Sequence, residues 1–407
     1  MPLRFYPGSR TAFHTISYSI VFLGLSLIAS PATNAQWSVT PSIAAGLEYD
    51  DNPSLNSGLT SITDVFGYAL EADASFSYSS PLTDFSFTPR YLGTKYDEFS
   101  ELDSNDWLLN LDYLYTGERS TFSFRGSYAD EAIRRAERSD VDFDVDDPTD
   151  IPDDQSGRVL GSENRQRLQF VPDWYYQIGQ RSLIRLGANY LDVSYDRSSN
   201  TLLADYTDAR GLFTFEHDWT QRNTIAVDAY YRENDFARIS GKLTGQGITL
   251  GIVRNLSENS RFVIKAGIDS TEDEFGSDQT NPIGEISFSH RLRVSRVLAA
   301  YRRTISGSGS SELSVRDTIS LLLSRGLSDK FTISGGVQAY QTSALDDNAV
   351  NNDEQKYLQL RLLFVYNISP TFSIDLDYRY TDLDRELTVT NAESNLVNLW
   401  FRYRALQ

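Results

Sequence analysis

The 407-residue chain has no cysteine, a single methionine at position 1, and three histidines. Without cysteine there is no disulfide framework, no thiol nucleophile and no thiolate metal site. His14 falls within the N-terminal segment 1–35, and neither His217 nor His290, both on the outward parity near the short turns, has an acid or nucleophile at a readable spacing, so interfacial placement is expected and no hydrolytic constellation emerges. No glycine-rich phosphate loop is present, and no motif implies a cofactor. Basic residues are also few. Lys and Arg number 37 against 56 Asp and Glu, for a formal charge of -19, which argues against nucleic acid as a partner. Beyond the N-terminus no apolar run reaches the roughly 20 residues a helix needs to cross a bilayer. That excludes a helical membrane protein but not a β-barrel, in which only alternate strand residues face lipid.

Aromatic residues are plentiful, at 13 % of the chain with 24 Tyr and 22 Phe. The N-terminus reads as a secretory signal over residues 1–35. Arg4 and Arg10 supply the basic start, "IVFLGLSLIA" the apolar core, and "ATNA" the small residues before a cut between Ala35 and Gln36. No cysteine follows the cut, so the chain is not a lipoprotein.

Residues 36–407 repeat one unit. In "LFTFEHDWTQRNTIAVDAYYR", Phe213, Phe215, Ile225, Val227 and Tyr231 alternate with Glu216, Asp218, Asp228 and Arg232 across the turn "TQRN". The same strand–turn–strand pattern recurs as "YTGERSTFSFRGSY", "YYQIGQRSLIRLGANY", "VRNLSENSRFVIKAG", "SRGLSDKFTISGGVQAY" and "VYNISPTFSIDLDYRY". Between these hairpins lie longer segments rich in Asp, Asn, Ser and Gly, the longest from about Asp130 to Asn164. Short turns alternating strictly with long loops are the mark of an outer-membrane barrel, short on the periplasmic side and long outside. About eight turns and nine loops predict an all-β, antiparallel transmembrane barrel of about 18 strands, roughly 35 Å across at the backbone.

Period-two parity then separates a lipid face from an inner one. Arg90, Arg125, Arg167, Arg185, Arg210, Arg232, Arg302, Arg361, Arg379 and Arg402 fall on the polar parity. So do Glu71, Asp73, Asp112, Asp173, Asp208, Glu216, Asp228, Asp269, Glu285, Asp375 and Asp377. These are the candidate lumen residues, serving either a passing polar polymer or arginine–carboxylate networks that hold the wall together. Tyr175, Tyr230, Tyr340 and Trp400 share that parity and could stack on sugar rings. Trp174, Tyr176, Trp219, Tyr378 and Tyr380 suit the interfacial girdles. The acidic run "DVDFDVDDPTDIPDD" offers Asp142, Asp144 and Asp146 as a weak calcium site or as a bridge to lipopolysaccharide, although it lacks the Gly and terminal Glu of a helix-loop-helix calcium loop. As a long loop it could equally fold inward and narrow the channel.

"AAGLEYDDNP", with Gly46, Tyr49, Asp51 and Asn52, and the hairpins "GLSDKFTISGGVQAY" and "NISPTFSIDLDYRY" resemble the β-barrel porin 2 group. These are outer-membrane barrels often encoded with exopolysaccharide synthesis or PEP-CTERM sorting systems. The resemblance extends over residues 36–407 and implies a porin for exopolysaccharide export, with no catalytic residues. The final strand also resembles an outer-membrane assembly signal, with Phe401 and Tyr403 as its alternating aromatics, although "RALQ" follows where an aromatic usually ends the chain.

Together these readings lead to a barrel in the outer membrane of a Gram-negative bacterium, in contact with lipid, lipopolysaccharide and the barrel assembly machinery. Its expected substrate is a polysaccharide, handled with periplasmic export components. The alternatives are a general or sugar-selective diffusion porin, and a structural or adhesive surface barrel; an enzyme is not expected.

Overall fold

A computed structural model describes residues 36–56, 64–138, 141, 143, 155–156, 164–196, 203–237, 242–272, 278–309, 313–345, 354–385 and 391–405. The signal-like segment 1–35 and the aspartates Asp142, Asp144 and Asp146 lie outside these described residues.

Eighteen antiparallel strands form one sheet. In chain order the first nine are β1 Gln36–Asp50, β2 Val65–Ser79, β3 Thr83–Tyr96, β4 Ser104–Thr116, β5 Ser120–Ala132, β6 Asn164–Gln177, β7 Ser182–Tyr195, β8 Tyr206–Thr220 and β9 Asn223–Phe236. The rest are β10 Lys242–Ser257, β11 Ser260–Glu272, β12 Asp278–Arg291, β13 Ser295–Gly307, β14 Leu313–Gly326, β15 Phe331–Ala344, β16 Gln355–Asn367, β17 Phe372–Arg385 and β18 Ala392–Arg404. Each strand pairs with its sequence neighbours, and β18 pairs with β1, so the sheet closes into a barrel without edges. Closure matters because an open edge in hydrocarbon would leave a row of backbone groups unbonded. The short turns fall at one end of the barrel and the long connections at the other, as the alternation in the sequence predicts.

Side-chain burial follows the same alternation. On β1, Ile43, Leu47 and Tyr49 are exposed, whereas Ser42, Ala44, Glu48 and Asp50 are buried. The exposed set continues round the outer face through Phe66, Tyr68, Leu70, Trp107, Phe213, Ile248, Leu250, Ile252, Ile319 and Leu321. Large apolar groups exposed outside and charged groups buried inside invert the order of a water-soluble domain. All the girdle candidates, Trp174, Tyr176, Trp219, Tyr378 and Tyr380, take the outward parity.

The β1–β18 seam pairs nine residues where β1–β2 pairs fifteen, and side chains reinforce it. Arg402 reaches across Ala44 of β1 to Glu71 of β2, 2.5 Å away. Ala44 is 1 % exposed beneath that crossing. Trp400 lies against Gly46, where a Cβ would meet the indole at 2.7 Å, so the glycine of the "AAGLEYDDNP" motif makes room for the ring. The rest of the motif clasps the long-loop end of the seam. Asp51 accepts from the backbone N–H of Asn395 at 2.6 Å and from its side-chain amide at 2.8 Å. Asp50 accepts from Ser394 Oγ at 2.8 Å, and the Asn52 amide donates to Glu393 O at 2.8 Å.

Leu109 and Asn110 are neighbours halfway along β4 on opposite faces, and the test of the parity is direct. Leu109→Arg is expected to lower the unfolding free energy in lipid by about 2–4 kcal/mol, and Asn110→Arg by little. Urea titration in vesicles, followed by heat-modifiable gel mobility, measures both.

Candidate functional site

The inner face is where chemistry could be done, and all twenty-one candidate charges take the inner parity of their strands. The barrel brings many of them together across neighbouring strands. Arg361 holds Asp377 through two bonds of 3.0 and 2.9 Å, and Arg379 bonds the same carboxylate at 2.8 Å. Arg402 joins Glu71 at 2.5 Å to Asp375 at 3.4 Å. Arg185 bonds Asp173 at 2.7 Å, and Arg232 lies 3.4 Å from Asp269. Others find partners absent from the sequence-derived set. Asp228 takes Lys265 at 3.1 Å with the Thr214 and Thr249 hydroxyls, and Asp208 takes the Asn234 amide at 2.7 Å. Glu285 accepts from Ser287 Oγ at 3.1 Å, Asp112 from Ser86 Oγ at 3.4 Å, and Arg167 donates to Gln169 at 3.0 Å.

Arg90 stands opposite Asp73 in the β2–β3 register without a hydrogen bond between them. Arg210 packs over the Tyr230 ring at 5.3 Å, and Arg125, Arg302 and Glu216 complete the inner set. Near the short-turn end this wall opens to solvent: Asn110, Asp112, Arg125, Asn255 and Arg261 are exposed on it.

Most inward aromatic rings are already engaged. Tyr340 is 3 % exposed, stacked on Tyr357 with the Arg316 guanidinium 3.6 Å above its centroid. Tyr230 donates to Asp269 and carries Arg210, and Tyr175 carries Arg185 at 5.3 Å. Tyr175, Tyr230 and Trp400 keep partial exposure.

The long-loop end is built differently. After β5 the chain turns inward through a single helical turn, Ile133–Ala136, whose arginines are gripped by the wall. Arg134 bonds the Tyr96 hydroxyl at 2.5 Å, and Tyr96 in turn donates to Glu48. Arg135 pairs with Asp106 at 2.7 Å and with Glu48 at 3.6 Å. Burial opposes the charge of Arg135, yet Glu48 and Asp106 outweigh it and hold its pKa above the usual guanidinium value. Arg138 bonds the Asn52 and Pro53 carbonyls at 3.0 and 2.7 Å and lies 3.3 Å from Asp50, so the seam clasp also anchors this segment. Glu137, fully buried, accepts from Ser156 N, Ser156 Oγ and Tyr195 Oη at 2.6, 2.5 and 2.7 Å and lies 3.3 Å from Arg165.

Further on, Val141 and Phe143 pack against Leu298, Leu322 and Leu363, on the inner face of β13, β14 and β16. Val141 donates to Gln359 Oε1 at 2.8 Å, its carbonyl accepts from Arg361 at 2.6 Å, and Phe143 O accepts from Arg296. A Cβ on Gly336 would meet Val141 at 2.3 Å, so the absence of a side chain there forms part of the seat. A second inward element faces it. β13 pairs with β12 only as far as Arg303. Beyond that the β13–β14 hairpin reaches the inner face of β7–β9, where Gly309 O accepts from Ala204 N at 2.8 Å and Ile305 O accepts from Arg232 at 3.1 Å.

The sequence reading missed Glu48, Tyr96, Asp106, Arg134, Arg135, Glu137, Arg138 and Arg165. The available signal was "IRRAER", a basic knot at the start of an acidic loop in an acidic chain. It also missed the partners of the two histidines. Ser182 Oγ lies 2.9 Å from His217 Nδ1 and Ser260 Oγ 2.7 Å from His290 Nδ1, each directly opposite in register. Both pairs take the outward parity at the short-turn end, as expected for interfacial histidines.

Among solved structures, the chain is similar to Pseudomonas aeruginosa OccK3 (OpdO), at 13 % identity over 90 % of this chain and 96 % of that one, with a TM-score of 0.45. It is also similar to Acinetobacter baumannii OccAB4, at 9 % identity over 92 % and 100 %, TM-score 0.45. The siderophore receptor PirA of Acinetobacter baumannii aligns at 7 % identity over 92 % and 81 %, TM-score 0.47. No family model and no curated protein matches the sequence, so the resemblance to the β-barrel porin 2 group rests on its motifs alone.

Removing Glu137 takes from Arg165 the buried carboxylate 3.3 Å away, a loss of about 3–5 kcal/mol for a pair of this kind. Glu137→Ala is therefore expected to expose the bond after Arg138 to trypsin in folded, membrane-inserted protein, while the barrel keeps its heat-modifiable mobility. Mass spectrometry of the digest locates the cut.

Proposed function

We propose that this protein is an outer-membrane channel for polar solutes, with its short turns in the periplasm and its bore set by the β5–β6 connection. The observation that carries the reading is the course of that connection. It is rooted at β1, β3, β4, β6 and β7, and its residues Val141 and Phe143 rest on β13, β14 and β16, on the other side of the ring. A wide barrel with a chain laid across its interior is narrowed to a passage for small solutes. Outside, the exposed apolar belt suits lipid; inside, charges of both signs suit a hydrated path.

Exopolysaccharide export is the second reading. The repeated hairpins and the "AAGLEYDDNP" motif favour it, and so do Tyr175, Tyr230 and Trp400, inward rings left partly open to a sugar. A polymer would require Val141 and Phe143 to leave their seat, whereas a small solute would not. A structural or adhesive barrel needs no passage and is the reading that any conductance would exclude.

Gly336→Val is expected to push Val141 off the inner wall and raise single-channel conductance in planar bilayers severalfold. Gly335→Val, on the outer face of the same strand, is expected to leave it unchanged. Deletion of the gene separates the two readings: loss of extracellular polymer with intracellular synthesis intact supports export, and unchanged polymer with reduced uptake of small solutes supports diffusion.

A further inference from the structure

The short-turn end carries a pattern that the channel reading does not use. Along each descending strand the outward parity runs past the end of the strand into the turn, where a large apolar residue recurs. Leu82, Ile178, Leu292, Leu327 and Ile368 occupy that place in five of the eight turns, and Trp219 and Leu256 hold it one residue before the end of β8 and of β10; each is between 46 and 66 % exposed. In the remaining turn the place is held by Gly117. Cations stand among them. Arg119, Arg181, Arg222, Arg254, Arg291, Arg293, Arg325 and Lys330 are all exposed at this rim, against Asp84, Glu118, Asp218, Glu258 and Asp329. The rim is thus basic in a chain whose overall charge is -19. The outer face at the opposite end has the reverse sign, with Asp192, Glu233, Glu272, Asp382 and Glu393 on the outward parity.

We propose that this rim is a binding surface for anionic glycerophospholipid in the periplasmic leaflet, the turn side chains entering the headgroup boundary and the arginines meeting phosphate. Three observations select lipid over a protein partner. The apolar residue recurs in nearly every hairpin round the circumference, whereas a protein would cover one sector. It continues, at the same parity, the outer face that the channel reading places in hydrocarbon. Its interleaved cations complement an anionic surface, and each basic residue at such a surface contributes roughly fivefold in affinity, or about 1 kcal/mol. Arg254 and Arg325 show the arrangement most plainly, each set between Ile252 and Leu256, or Leu323 and Leu327, on one outward line. Their long stems can lie along apolar surface while the guanidinium reaches the phosphates.

The inference rests on the membrane-barrel reading, and its test keeps the two apart. Trp37, Trp174 and Trp219 lie near this rim, whereas Trp107 lies near the other end. Full-length protein is inserted into vesicles of phosphatidylcholine containing equal small fractions of either brominated phosphatidylglycerol or brominated phosphatidylcholine. Tryptophan quenching is expected to be stronger with the anionic lipid. The preference should fall by up to roughly fivefold for each of Arg181→Gln and Arg222→Gln, which flank Trp219, and should weaken in high salt. Lys95→Gln and Lys242→Gln, at the opposite end, should not change it. Equal quenching by the two lipids in the wild-type protein overturns the proposal, as does protection of the rim by a periplasmic protein in place of lipid. Failure to insert into vesicles of either composition would instead refute the barrel reading itself.

Discussion

Closing the sheet is the step on which the rest depends. A strand in hydrocarbon has no water to satisfy its N–H and C=O groups, so every strand needs a partner on both sides. Here the chain's two ends meet that demand at β1–β18, over nine residue pairs. The seam carries more than ladder bonds. Arg402 crosses Ala44 to Glu71, Trp400 covers Gly46, and Asp50, Asp51 and Asn52 bind the start of β18. Small residues at 44 and 46 are therefore required by what must pass over them. The Asp-Asn pair that drew attention in the sequence finds a structural reason, since its side chains join the two ends of the chain.

The closed barrel then has to fill a wide polar interior. A charge held inside has lost part of its hydration, and a lone one would be costly. The wall answers with chains of alternating sign: Arg361, Asp377 and Arg379 on two adjacent strands, and Glu71, Arg402 and Asp375 across four consecutive positions in the ring. Such chains fix each side chain in place and leave fewer mobile charges facing the passage. Much of what looked like a charged track in sequence is therefore wall, with solvent-exposed charge concentrated near the short-turn half at residues such as Asp112 and Arg125.

What could be read beforehand followed from period two. Parity along Leu212–Arg232 or Tyr68–Tyr78 is local, and a slip of one residue would put charge into lipid, so strand number and facing were legible from the chain alone. The inward course of the β5–β6 connection was not, because its contacts are distant. Val141 meets Gln359 at a separation of 218 residues, and Phe143 meets Arg296 at 153. No periodicity announces them, and length alone suggested only that the loop could turn inward. The serine partners of His217 and His290 were hidden for a simpler reason. They sit across a long connection, at separations of 35 and 30 residues, where only register brings them face to face.

The inward connection is held in two chemically different ways, and the difference gives it a direction of movement. At its root, Arg134, Arg135, Glu137 and Arg138 meet buried counter-charges and carbonyls, and breaking one buried pair costs about 3–5 kcal/mol. At Val141 and Phe143, two apolar side chains rest on an apolar seat, each contributing roughly 1.5–3 kcal/mol. The Gln359 and Arg361 bonds add to that, but both groups can return to water or, for Arg361, keep Asp377 when Val141 leaves. The root shares the clasp that closes the seam, so loosening it would threaten the barrel as well. On the proposed channel reading, opening would start where Val141 and Phe143 meet their apolar seat and would leave the Arg134–Arg138 contacts with the wall in place.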